Sequence, residues 1–158
     1  MNGAAKASSS YLHDGSLASL SWTAGGQTVR AHTGISYDVG GIRTGENVSI
    51  RKPGASSNDT GPALYSYDLL DRLTSYTSPF DYDDSETRPP TTTYTLDDGG
   101  NITRELTTVD SGARTMADQT SSYSSGRLTG RVSKQTVADL TSPLDLITTT
   151  DTLSLIHI

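Results

Sequence analysis

Five short motifs recur along this chain, and their spacing limits what it can fold into more than any other feature. The fullest copy reads Leu64-Tyr65-Ser66-Tyr67-Asp68-Leu69-Leu70-Asp71-Arg72-Leu73-Thr74-Ser75. Two further copies are Tyr37-Asp38-Val39-Gly40-Gly41-Ile42-Arg43-Thr44 and Tyr94-Thr95-Leu96-Asp97-Asp98-Gly99-Gly100-Asn101-Ile102-Thr103. Shortened copies are Tyr11-Leu12-His13-Asp14-Gly15-Ser16-Leu17 and Tyr123-Ser124-Ser125-Gly126-Arg127-Leu128-Thr129. The turn-closing positions Gly15, Gly41, Asp71, Gly100 and Gly126 lie 26, 30, 29 and 26 residues apart. A near-constant period of this length marks a chain assembled from one supersecondary unit.

The unit reads as a β-hairpin. Tyr-x-Tyr alternates with period two, and aromatic residues suit a pleated surface. The following Asp accepts hydrogen bonds from the turn backbone, and Gly three residues later supplies a positive φ. A Leu or Ile followed by Thr then opens the return strand. Within Leu64 to Tyr67, Tyr65 and Tyr67 share one face, and Leu64 and Ser66 the other. Asp71 stands where the four other copies have Gly, and Asp enters the left-handed region more readily than most residues. Gly25-Gly26 reads as a two-residue hairpin turn rather than a phosphate cradle. His13 takes the strand place of Ser66.

Between the hairpins, segments 53–62, 78–90 and 110–118 are rich in Gly, Ser, Pro and Asp and read as loops. Pro89-Pro90 excludes a central strand there. Short strands are expected at 27–31, 47–51 and 130–137. The best helix candidate is only 136–140. The fold class expected is therefore all-β, an array of antiparallel hairpins.

Composition agrees with a repeat array better than with an autonomous globule. The 158 residues are 32% hydrophobic and 6% aromatic, with 15 glycines. Ordering a residue costs roughly 1–2 kcal/mol of backbone entropy, and so few large apolar side chains offset little of it. Neighbouring hairpins must supply each other's missing core. The net charge of −6 disfavours nucleic acid and anionic membranes as partners. The chain has no cysteine, so disulfides and thiolate metal sites are excluded. No apolar run approaches the roughly 20 residues of a membrane span. Residues 1–10 have no apolar stretch, so they are expected to be a disordered N-terminal stretch and not a signal peptide.

The repeat resembles the YD repeats of the RHS family. Tyr67-Asp68 with Arg72-Leu73-Thr74, Gly100-Asn101-Ile102-Thr103 and, most closely, residues 37–44 carry the likeness, which spans about 11–140. The repeat-defining residues are Tyr11, Asp14, Gly15, Tyr37, Asp38, Gly41, Tyr67, Asp68, Asp71, Tyr94, Asp97, Gly100, Tyr123 and Gly126. The resemblance implies a fragment of a large exported or cell-surface bacterial protein. In that family the hairpins spiral into a β-sheet shell that encloses a C-terminal toxin or supports cell–cell contact. Carbohydrate binding has also been attributed to YD repeats. The partners implied are neighbouring repeats of the parent chain, and either enclosed cargo or surface glycan. The family's core motif before self-cleavage and a toxin domain are absent from this sequence.

The residues themselves point to no catalytic chemistry, so no enzyme and no cofactor is expected. His13, His32 and His157 are the only histidines. No Gly-x-Ser-x-Gly, His-Glu-x-x-His or P-loop pattern occurs. Asp81, Asp83, Asp84 and Glu86 form an acidic cluster of the kind that holds Ca²⁺, but they lack the EF-hand spacing and read better as a solvated loop. Asn47, Asn58 and Asn101 head Asn-x-Ser/Thr sequons, as a Ser/Thr-rich composition makes common. The tyrosines read first as the packing surface of the sheet, and second as a sugar-stacking face. Leu153-Ser154-Leu155-Ile156-His157-Ile158 resembles the translation of a sequencing-adapter mosaic end, so 153–158 is read as a non-native tail. Segment 141–152 is then a connecting segment, with the native chain expected to be cut after it. A glycan-binding adhesin module and a non-folding stalk are the alternatives to the shell segment.

Overall fold

The structure, a computed structural model, describes residues 5–80, 89–109, 112, 114–137 and 145–151. The fold is all-β: eleven strands and no α-helix occur among the described residues. The chain divides into two compact units, residues 1–66 with 77–89, and residues 67–76 with 90–158. The first holds β1 (Lys6–Tyr11), β2 (Leu17–Ala24), β3 (Gln27–Tyr37), β4 (Arg43–Ile50) and most of β5 (Asp59–Tyr67). The second holds most of β6 (Leu73–Thr77), then β7 (Thr91–Leu96), β8 (Ile102–Val109), β9 (Arg114–Ser124), β10 (Arg127–Val137) and β11 (Asp145–Asp151). Within each unit the strands lie side by side in chain order.

The motif positions form the turns on which this array depends. In four of them the first residue's N–H donates to the fifth residue's carbonyl: Leu12 to Ser16, Asp38 to Ile42, Asp68 to Arg72 and Asp97 to Asn101, at 2.7–3.0 Å. The fourth residue's N–H returns to the first carbonyl in each, at 3.0–3.1 Å. This is a three-residue hairpin loop closed by a residue with positive φ. That residue is Gly15, Gly41, Asp71 or Gly100, with φ of 85°, 83°, 60° and 82°. The fifth motif turns differently. Ser125 and Gly126 form a two-residue turn with φ of 51° and 74°, and Gly25-Gly26 forms another with 58° and 78°.

Several sequence expectations are corrected by strand pairing. Residues 6–10 are not disordered: they belong to β1, which pairs with β2. Their backbone ladder is reinforced by Ser8–Ser21 and Ser10–Ser19 hydroxyl contacts of 3.3 and 2.6 Å, a polar signal that hydropathy does not register. Segment 141–152 is not simply connecting, because Asp145–Asp151 forms β11 along β10. Residues 59–62 leave the expected loop for β5, with Pro62 opposite Asn47. Residues 114–118 likewise join β9. Thr136 and Val137 end β10 rather than begin a helix. His13 sits inside a turn, equivalent to Val39, and not on a strand. Residues 81–88 with the acidic cluster, and the tail 153–158, lie outside the described residues.

The buried core is small. Ala31, Ile35, Val48 and Ala63 are buried in the first unit, and Val109 and Met116 in the second. At Gly61 of β5 the chain after β6 returns: a Cβ there would collide with the backbone carbonyl of Pro79. Hydrogen alone fits, so this contact selects glycine by space and not by φ.

Candidate functional site

Two constellations of side chains stand out, one on the turns and one on the strands of the first unit.

On the turns, the capping aspartates work as their sequence position suggests. Asp38 Oδ1 accepts the N–H groups of Gly40 and Ile42, both at 2.9 Å. Asp68 Oδ1 accepts those of Leu70 and Arg72 at 2.9 and 3.0 Å, and Asp97 Oδ1 accepts Asn101 N–H at 2.8 Å. Asp14 is two residues out of step. Leu12 takes the capping place, and Asp14 Oδ1 accepts Ser16 N–H at 2.9 Å instead. These bonds favour the ionised carboxylates. The Ser16 N–H draws Asp14 below the ordinary carboxylate value, the Arg72 N–H does so for Asp68, and the Asn101 side chain and N–H do so for Asp97.

Successive turns within a unit are tied by one long side chain each. Tyr37, just before its turn, donates its hydroxyl to the carbonyl of Leu17, just after the preceding turn, at 2.9 Å. Tyr123 repeats this with Ile102 at 3.1 Å. Leu96 stands where a tyrosine would precede the turn that Asp97 opens, and Arg72 supplies the tie, donating to Asp97 O at 2.9 Å. Tyr11 is exposed, and Tyr67 and Tyr94 are half-buried. Burial, aided by Glu105 and Tyr76, raises the Tyr94 phenol above its ordinary value.

The strand constellation centres on Glu46. Residues directly opposite across a ladder share a face, as do alternate residues along a strand. Leu20 faces His32 and Trp22 faces Arg30 across β2–β3. His32 faces Val48 across β3–β4, and Glu46 faces Ala63 across β4–β5. One face therefore collects Trp22, Arg30, His32, Glu46 and, two places beyond Ala63, Tyr65. A register shift between Ser36 and Tyr37 places an extra residue in β4 and brings Arg43 to the same carboxylate.

Glu46 is buried, and its carboxylate is surrounded by donors. Oε2 takes His32 Nδ1 at 2.6 Å and the Arg43 guanidinium, and Oε1 takes the Tyr65 hydroxyl at 2.9 Å. Arg30 Nε donates to His32 Nε2 at 3.1 Å. Arg43 also stacks over the Tyr65 ring, and Arg30 over the Trp22 ring, with guanidinium carbons 5.9 and 6.0 Å from the centroids. A buried charge is tolerated when it is paired and hydrogen-bonded in this way. Arg43 Nε is buried without a hydrogen-bond partner, the one imperfection in the cluster.

A histidine backed by a carboxylate invites comparison with nucleophile-activating sites, where the far ring nitrogen faces a hydroxyl or thiol. Here that nitrogen faces an arginine N–H. The arrangement holds a carboxylate in place across β3, β4 and β5, and presents no free base. Among the described residues, no group of three or more Asp, Glu or His side chains converges as a metal ion would require.

Of this cluster, sequence reasoning singled out Tyr65 as a repeat residue and His32 only as one of three histidines. Arg43 was quoted only within the copy at 37–44, and Glu46, Arg30 and Trp22 were missed. The available signal was period two in β4: Glu46 falls in phase with Val48 and Ile50, a charge in the apolar register of a strand. Of the sequons, Asn47 is exposed on β4. Asn58 Nδ2 donates to Thr28 O and Ser49 Oγ, at 3.3 and 3.0 Å. Asn101 Nδ2 reaches the Asp97 carboxylate at 2.9 Å.

No protein-family model and no curated protein matches the sequence. No described helix is long and apolar enough to cross a membrane.

Proposed function

We propose that this chain is a structural wall segment of an exported RHS/YD-repeat protein, and that its work is steric rather than catalytic. The single observation that supports this reading is the repeated turn-to-turn tie. The tyrosine just before the turn bonds the preceding motif turn in two of the copies, Tyr37 to Leu17 and Tyr123 to Ile102. Such ties join one hairpin to another within each unit. They suit an array whose product is a continuous surface.

In this reading the parent protein encloses a C-terminal cargo or presents the wall to another cell. A glycan-stacking face would need several tyrosines exposed together. Among the described tyrosines Tyr11 alone is exposed, and the other six are half-buried. The test is protease protection in the parent protein. The region following the repeats should resist digestion in the intact protein and become sensitive when the Tyr37 and Tyr123 ties are removed together. Equal digestion rates with and without the ties would sink the proposal.

A further inference from the structure

We propose that His32 is a proton-operated latch that holds Arg30 against Trp22. Both nitrogens of the ring are committed, and to opposite partners. Nδ1 lies 2.6 Å from Glu46 Oε2, and Nε2 lies 3.1 Å from Arg30 Nε. A guanidinium has no lone pair to offer, so Nε2 must be the acceptor and the ring proton sits on Nδ1. Arg30 then spans two aromatic rings. Its Nε bonds His32, and its guanidinium carbon lies 6.0 Å from the Trp22 centroid. Trp22 and His32 themselves meet edge to face at 5.9 Å.

A second proton on the ring has only Nε2 to occupy. There it would place N–H against N–H and cation against cation, and the Arg30 bond is lost. The other side of the ring gains, because Nδ1–H then joins an imidazolium to the Glu46 carboxylate. The groups that face His32 decide the direction of the movement. From β4 come Glu46 and, through it, Arg43. From β5 comes Tyr65, also through Glu46. From β3 itself comes Arg30. From β2 come Leu20 and Trp22, neither of which titrates. The ring is thus held on its carboxylate side and released on its arginine side. Proton uptake frees Arg30 and uncovers the Trp22 ring, with the ladder of β3 and β4 intact. The latch gives this face of the first unit two surfaces, one closed by arginine and one with an open indole beside a mobile cation.

Trp22 is the only tryptophan in the chain, so the latch reports its own state. The experiment follows Trp fluorescence and far-ultraviolet circular dichroism of the full chain from pH 8 to 4.5. The expected result is a one-proton fluorescence step with unchanged dichroism. His32→Gln should abolish the step, and Arg30→Gln, which removes the cation that the latch holds against Trp22, should abolish it as well. Should His32→Gln fail to fold, nuclear magnetic resonance of the unsubstituted chain serves instead, with the His32 ring and Trp22 indole signals expected to move at one midpoint. The proposal is overturned by a flat fluorescence profile, by a step that survives His32→Gln or Arg30→Gln, by dichroism that changes in the same step, or by separate midpoints for the two rings.

Discussion

The Glu46 cluster of the first unit and the Arg104–Asp118 pair of the second both hold a carboxylate against an arginine on the face of antiparallel β-strands. They stand in opposite surroundings. The Glu46 side chain is 2% exposed and receives His32, Arg43 and Tyr65. Arg104 and Asp118 are 46% and 23% exposed and make a two-pronged bond at 2.8 and 2.9 Å. The Asp118 carboxylate bonds Arg104 and raises the arginine further above its ordinary value. Water screens that pair and replaces either partner when it is lost. Nothing replaces a donor around Glu46. The comparison teaches that the same contact is structural or decorative according to burial, not according to charge.

The largest effect expected is for Glu46→Ala. It removes the buried carboxylate that His32, Arg43 and Tyr65 share, and removing one partner of a buried pair destabilises by about 3–5 kcal/mol. Denaturant unfolding of the first unit checks this, and a loss comparable to that at Asp118 would erase the contrast. Next comes Gly61→Ala in β5. A methyl group cannot share space with the Pro79 carbonyl, so the return of the chain over that strand is displaced, at about 1–3 kcal/mol.

The turns should give smaller effects in both units, because their geometry is shared. Asp71→Gly relieves an L-residue at φ 60° and should stabilise by up to about 1 kcal/mol, while Gly41→Ala at φ 83° should destabilise by a similar amount. Thermal melts of the two variants should move in opposite directions. Asp118→Ala should change stability by less than about 1 kcal/mol and lose even that in high salt.

Acid provides a further separation. Asp14, Asp68 and Asp97 titrate below the ordinary 3.8 in the folded chain. Ionised, they favour the fold above that value, and their contribution disappears as the pH falls through their lower folded values. Unfolding measured at pH 5 and pH 3 should therefore show a loss that Asp68→Asn and Asp97→Asn each reduce. Identical losses in the variants would remove the turn carboxylates from the account.

Much of the array was legible because turns are local. Asp38, Asp68 and Asp97 bond backbone groups two to four residues away, and Gly15, Gly41 and Gly100 satisfy a φ requirement within a single residue. The Asp14 register was misread because Leu12 closes the same backbone ring without a carboxylate. β1 and β11 were missed because their sequences carry little hydrophobic period. They are strands because β2 and β10 offer them a ladder.

The sequence by itself determined where the chain reverses, since each reversal depends on residues within one turn of each other. It also marked strands where period two is legible, as at Leu64 to Tyr67. Tertiary structure alone decided that Glu46 is a centre. Its partners His32 and Tyr65 lie 14 and 19 residues away, and register shifts beside Gly34 and Tyr37 set which side chains reach it. A carboxylate's role follows from how much water its neighbours exclude, and only the assembled face of β2 to β5 excludes it.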